Sequence, residues 1–249
     1  MVALRNMFFY LLILFSLYIF IFCDRKSEFN YEPVLNVVGI LRNDEHYPIA
    51  IIDRAYETDE PAEYNLENAL VYISGPNVME TLFYYDYNNY FSALNPINIQ
   101  PESVYHLFVQ VPGFESVKGS TRIPGRFQII NPAWYDTITV EDTLIFTKSK
   151  GGAVYYVLCQ KEDAGNYYYW VYFPELTNDT IMKIPIIQFQ TEYIVANGFY
   201  QFTIVAHDSN YFNYEFYWGS EPPAYGIENG IGFFGSAWVE TIIVYVKIE

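Results

Sequence analysis

The 249-residue chain sets 13 Lys and Arg against 29 Asp and Glu, a formal net charge of −16. That balance repels phosphate backbones and argues against nucleic acid as a partner. Apolar residues make up 52% of the sequence, enough for a sizeable core and too much for a disordered chain. The 26 Tyr and 20 Phe favour sheet over helix, because aromatic side chains suit a pleated, half-buried surface.

The first stretch, MVALRNMFFYLLILFSLYIFIFC, has one charge at Arg5 and an unbroken apolar run from Met7 to Phe22. Cys23 follows, and then the polar DRKSEFN. This is the layout of a secretory leader. Three readings of it stand. As a lipoprotein signal, Cys23 becomes the lipid-bearing first residue, although the bulky Phe22 differs from the small residue usual before such a cysteine. As an uncleaved anchor, the run from Met7 to Phe22 falls slightly short of the ~17–25 residues a spanning helix needs. As an ordinary cleaved signal, it lacks a small-x-small site. All three place the body outside the cytoplasm, and the first two hold it at a membrane through the leader or its lipid. Residues 24–33 form a short tether. Cys159 is the only other cysteine and is expected as a small apolar strand residue, leaving Cys23 without disulfide duty.

Beyond the tether the chain breaks into short apolar runs bounded by turn residues, the pattern of all-β sandwiches. VLNVVGILR and PIAIIDRA flank Asn43-Asp44-Glu45, and NALVYISG closes at Gly75-Pro76. TLFYYD and YFSAL flank a Tyr87-Asn88-Asn89 hairpin. In SVYHLFVQV, Tyr105, Leu107, Val109 and Val111 share one face, with His106 and Gln110 on the other. FESVKGSTRIP ends this first unit, residues 34–124. The linker 125–134 leads to a second unit, 135–249, with strands in DTITV, TLIFT, AVYYVLCQ, YYYWVYF and GFYQFTIVAHD. The last strand is expected at WVETIIVYVKI. Residues 208–238 before it read as a long insertion, opening with a short helix in NYFNYEFYWG that carries exposed aromatics. Insertions of this length are usually functional.

The runs VVGILR, NALVYISG, YYDYNNYFSAL, SVYHLFVQVPGF and STRIPGRF together resemble a carboxypeptidase-regulatory-like sandwich. They are similar to the first half of the bacterial lipoprotein family called domain of unknown function 4249. TLIFTKSKGGAVYYVLCQ with YQFTIVAHD resembles strands of a fibronectin type III domain, and the ending GIENGIGFFGSAWVETIIVYV resembles that of the same lipoprotein family. The resemblance spans nearly all of the chain after the tether. It implies two tandem sandwiches, immunoglobulin- or transthyretin-like and then fibronectin type III-like, after an N-terminal apolar helix. It also implies a bacterial envelope location and names no reaction. On the fibronectin resemblance Tyr200 takes the tyrosine-corner position, a structural role.

Gly230, Gly232 and Gly235 spell the dinucleotide fingerprint, but a strand follows instead of the helix N-terminus that binding requires. They are read as structural glycines allowing close backbone approach. His46, His106 and His207 lie far apart without metal-ligand spacing, and His106 and His207 are expected on exposed sheet faces. No nucleophile elbow is present. The acids Glu57, Asp59, Glu60 and Glu63 lack the regular spacing of a calcium loop and read as a solvated linker. No catalytic residue, metal or cofactor is therefore expected. The candidate partner-binding residues are Tyr211, Tyr214, Tyr217, Trp218, Phe233 and Phe234, all in the insertion. The expected function is a non-enzymatic envelope protein that presents a binding or assembly surface. One alternative is a glycan-binding or scaffolding subunit of an uptake complex, and a second is a carboxylate-based hydrolase.

Overall fold

The computed structural model describes residues 33–55, 66–162, 169–174, 180–189, 194, 196–216, 219 and 224–248, of which 169–174 by backbone alone. The expected apolar helix and Cys23 lie outside these residues, as do Tyr217 and Trp218. The described chain is all-β, with a single short α-helix among the described residues. Within them, no helix is long and apolar enough to cross a membrane.

Seven strands lie in the stretch expected as the first sandwich, a name kept for it below: β1 (Leu35–Arg42), β2 (Ile49–Arg54), β3 (Leu70–Gly75), β4 (Val78–Tyr85), β5 (Tyr90–Ala93), β6 (Val104–Gln110) and β7 (Val117–Arg122). They hydrogen-bond in the order β1-β2-β5-β4-β3-β6-β7. Alternation sets which side chains go inward: β1 buries Leu35, Val37 and Leu41, and β6 buries Tyr105, Leu107 and Val109.

The second sandwich comprises β8 (Ile129–Asn131), β9 (Thr137–Thr139), β10 (Thr143–Thr147), β11 (Val154–Lys161), β12 (Tyr169–Pro174), β13 (Ile181–Pro185) and β14 (Gly198–His207). One of its sheets is β13-β10-β8; the other contains β12-β11-β14. Since β8 pairs with β10, part of the expected linker 125–134 is a strand of this sandwich. Cys159 is buried on β11, and burial pushes its thiol up to about 12.

The chain then forms α1 (Ser209–Glu215), β15 (Ala224–Tyr225), β16 (Ile227–Glu228) and β17 (Ile231–Lys247). β17 begins seven residues before the expected Trp238 and serves both sandwiches. Its first half, Ile231 to Ala237, pairs in parallel with β1. Its second half, Ala237 to Val246, pairs antiparallel with β14. At ~3.3 Å per residue this one strand runs roughly 55 Å. The described residues of the 208–238 segment are therefore paired or packed rather than a free loop. Asn43 extends the β1 ladder one step further: its amide donates to the Val239 carbonyl (3.0 Å) and accepts from the Val239 N–H (2.5 Å).

Buried tyrosines with hydroxyls tied to backbone recur in both sandwiches. The Tyr200 hydroxyl donates to the Ala196 carbonyl at 2.9 Å, the bond that defines a tyrosine corner. Tyr105 accepts from Gln100 N–H, and Tyr155 accepts from Ser149 N–H. Each ring fills core while its polar end is satisfied, which explains how so many tyrosines are buried without cost.

Candidate partner-binding surface

The aromatics expected to face a partner are mostly turned onto the protein itself. Phe234 is 1% exposed and sits between the inner faces of β1 and β7. A Cβ at Gly39 lies 3.1 Å from the Phe234 ring, and one at Gly119 lies 3.0 Å from its Cβ, so glycine on both strands leaves room for it. Phe233 points to the opposite face, as its neighbour in the strand must. It is nonetheless buried, because Tyr211 and Tyr214 of α1 cover it with ring centroids 5.8 and 4.4 Å away. Phe233 and Phe234 are corrected from surface to core. Tyr211 and Tyr214 remain half-buried as the roof of that core.

The same roof corrects His207. Instead of lying on an exposed face it is 3% exposed, stacked on Tyr211 at 3.8 Å and met edge-on by Tyr156. Its Nδ1 has no hydrogen-bond partner, and burial, with the nearby Arg42 charge, lowers its pKa to about 3. Around it Val154, Tyr156, Val205, Ala237 and Val239 form a small apolar cluster on the outer face of the second sandwich.

Asp208 fixes α1 in place. Its carboxylate caps the helix by accepting from Tyr211 N–H (3.0 Å), and it accepts from Thr121 Oγ1 of β7. Ser236 of β17 completes the cluster, its hydroxyl 3.3 Å from the carboxylate and 3.0 Å from the Arg122 carbonyl. Burial raises the Asp208 pKa while these donors oppose the rise. Asn210 adds a second clamp, donating to the carbonyls of Ser120 and Phe234 at 2.9 Å each. In the sequence this cluster is signalled only by an aspartate directly before a short helix.

The glycine motif lies at the start of β17. Gly232 has φ +101°, and a Cβ there would meet the Val37 carbonyl at 2.2 Å. Gly230 approaches the Leu35 carbonyl similarly, and a Cβ at Gly235 would lie 3.1 Å from the Asp208 carboxylate. Among the described residues no three His, Cys, Asp or Glu side chains are grouped to hold a metal.

A different surface is left open. On the outer face of the first sandwich, Ile49 lies opposite Ser92, and Ser92 opposite Phe83. Ile51 lies opposite Val38, and Tyr85 opposite Tyr90. Ile51, Phe83 and Leu70 are 48%, 46% and 51% exposed, far more than outward residues that are covered. Asp53 lies on the same side of β2 as Ile49 and Ile51, and at the end of β1 Arg42 is engaged by Asp44 and Glu45. The result is a group of exposed apolar side chains around the buried Ser92, with Asp53, Asp44 and Glu45 at its margin.

No family model matches the chain, and no curated protein does. Among solved structures, the tandem Ig repeats of Dlar are 13% identical, with 87% of this chain and 98% of that one covered and a TM-score of 0.24. The FN1–FN3 domains of chicken CNTN1 are 11% identical, covering 86% of this chain and 66% of that one at a TM-score of 0.24. A Salmonella alpha-2-macroglobulin mutant is 10% identical at a TM-score of 0.27; 88% of this chain matches only 15% of it. That the described chain is all-β rests on its own strand pairing.

Proposed function

We propose that this chain is a non-enzymatic, envelope-anchored binding module whose docking face is the outer surface of β1, β2, β5 and β4. The observation that carries the reading is the clustering of Val38, Ile49, Ile51, Phe83 and Tyr85 on one face, uncovered and in register. Contiguous exposed apolar surface of this kind marks interaction sites. The acidic margin and the net charge of −16 select the partner: a protein with an apolar patch flanked by Lys and Arg. The leader supports membrane attachment through the apolar run or a lipid on Cys23, and burial of Cys159 supports leaving Cys23 for that role. Burial of His207 and Asp208 beneath α1 supports a structural role for both rather than chemistry.

The test is photo-crosslinking from native envelopes with the crosslinker at Ile51 or Phe83. One basic partner is expected from both positions, with capture falling as salt rises and lost in the Ile51→Lys/Phe83→Glu double variant. Unchanged capture by that variant overturns the reading. A dimer of this chain that dissociates in the same variant replaces the partner with a second copy.

A further inference from the structure

We propose that a cleft of about 500 Å³ beside β7 is a binding site for a neutral saccharide. The cleft lies on the outer side of β6 and β7, lined by His106, Lys118 and Ser120 and by the backbone of Gly119. Its far edge is the chain from Gly226 to Glu228, where β16 continues the same sheet beside β7. Here Gly226, at φ +66°, turns the chain while its carbonyl still accepts from Ser120 N–H at 2.8 Å. A Cβ at Gly226 would meet the Asn210 amide at 2.2 Å and the Ser120 carbonyl at 2.6 Å, so the turn into this edge requires glycine. Ile227 is buried against Gly119 and anchors it.

The polar groups facing this space are not used by the fold. Lys118 and Glu228 lie directly opposite each other on β7 and β16, yet they form no ion pair. His106 is exposed on β6, opposite Ser120. A cation, an anion, an imidazole and a hydroxyl thus converge with their hydrogen-bonding capacity open. The cation and anion cancel, so an uncharged ligand rich in both donors and acceptors fits them, whereas a net charge would leave one of the pair opposed. Phe108 stands opposite Lys118 on β6 and stacks on Tyr72, centroids 4.9 Å apart at 24°. This half-buried aromatic pair offers a flat apolar platform beside the polar cleft. A pyranose ring has this combination, with an apolar C–H face and a rim of hydroxyls.

The experiment uses the full chain in a zwitterionic detergent without sugar headgroups. Calorimetric titration is run with maltohexaose, cellohexaose and mannohexaose, with oligogalacturonate as the acidic control. At least one neutral oligosaccharide is expected to bind. Lys118→Ala, Glu228→Gln and Phe108→Ala are each expected to weaken it about tenfold or more. Lys118 and Glu228 are exposed, so these two variants carry the test if Phe108→Ala fails to fold. The Ile51→Lys/Phe83→Glu variant is expected to keep sugar binding, which separates this site from the partner face. The proposal is overturned if no neutral oligosaccharide binds, or if the cleft variants bind like the wild type. It is overturned equally if oligogalacturonate binds more tightly and Glu228→Gln strengthens it.

Discussion

The outer face of β11, β14 and β17 and the outer face of β1, β2, β5 and β4 are built from the same kinds of residue, but only the first is roofed. Over Val154, Tyr156, Val205 and Val239 the chain lays α1, with Tyr211 and Phe212 packed down and Asp208 capping the helix. Over Ile49, Ile51 and Phe83 it lays none of its described residues. The contrast separates two uses of apolar surface that the sequence writes alike. One is a second core that locks β17 to both sandwiches; the other is available for a partner.

The largest effect is expected where β17 enters the first sandwich. Phe234→Ala should destabilise by about 3–5 kcal/mol, since the ring fills a site flanked by glycines whose backbones cannot close in. Denaturant unfolding reads this directly. An effect under about 0.5 kcal/mol, as for a surface position, would mean that β17 does not complete that core.

The roofed face should also show itself in pH. His207 is neutral in the folded protein, with a pKa of about 3 against an ordinary 6.5. Between these values the unfolded chain takes up a proton that the folded one refuses. Stability is therefore fully present above about pH 6.5 and declines as pH falls toward 3, by a few kcal/mol at ~1.4 kcal/mol per pKa unit. Tyr156, Tyr211, Arg42 and Asp208 face or adjoin the imidazole and none offers Nδ1 a hydrogen bond. His207→Phe keeps the stack on Tyr211 and should flatten the decline between pH 6.5 and 4.5, measured by melting temperature. An equally steep decline in the variant would assign the dependence to other groups.

How far the sequence reveals these arrangements depends on the residue. Strand alternation is legible wherever one face is wet: β6 buries Tyr105, Leu107 and Val109, the face predicted from SVYHLFVQV. The role of Tyr200 is legible only through the fibronectin type III resemblance, and its hydroxyl does bond the nearby Ala196 carbonyl. A more modest loss, about 1 kcal/mol, is expected for Tyr200→Phe, which leaves the Ala196 carbonyl without that donor. Periodicity fails at GIGFFGSAW. Glycine and serine are weak strand formers, and both faces of this stretch are buried, so no alternation survives to mark a strand. Its partners, β1 and α1, lie far away in sequence or on the other side of a turn. The burial of His207 is hidden for a different reason: alternation assigns the outer face correctly but cannot show that a helix covers it.

The smallest effect on stability belongs to the open face, and that smallness is the diagnostic. Phe83→Glu and Ile51→Lys replace side chains already about half in water, opposite Ser92 and Val38 rather than within a filled cluster. Each should change unfolding free energy by less than about 0.5–1 kcal/mol, in contrast to Phe234→Ala. Binding should respond in the opposite order, since a charge at the centre of an apolar contact is buried unpaired when the partner docks. If Phe83→Glu instead unfolds the protein, the face is structural, and the chain's exposed aromatics are packing residues throughout. If it leaves both stability and partner capture intact, the apolar centre is bystander surface and the acidic margin has nothing to frame.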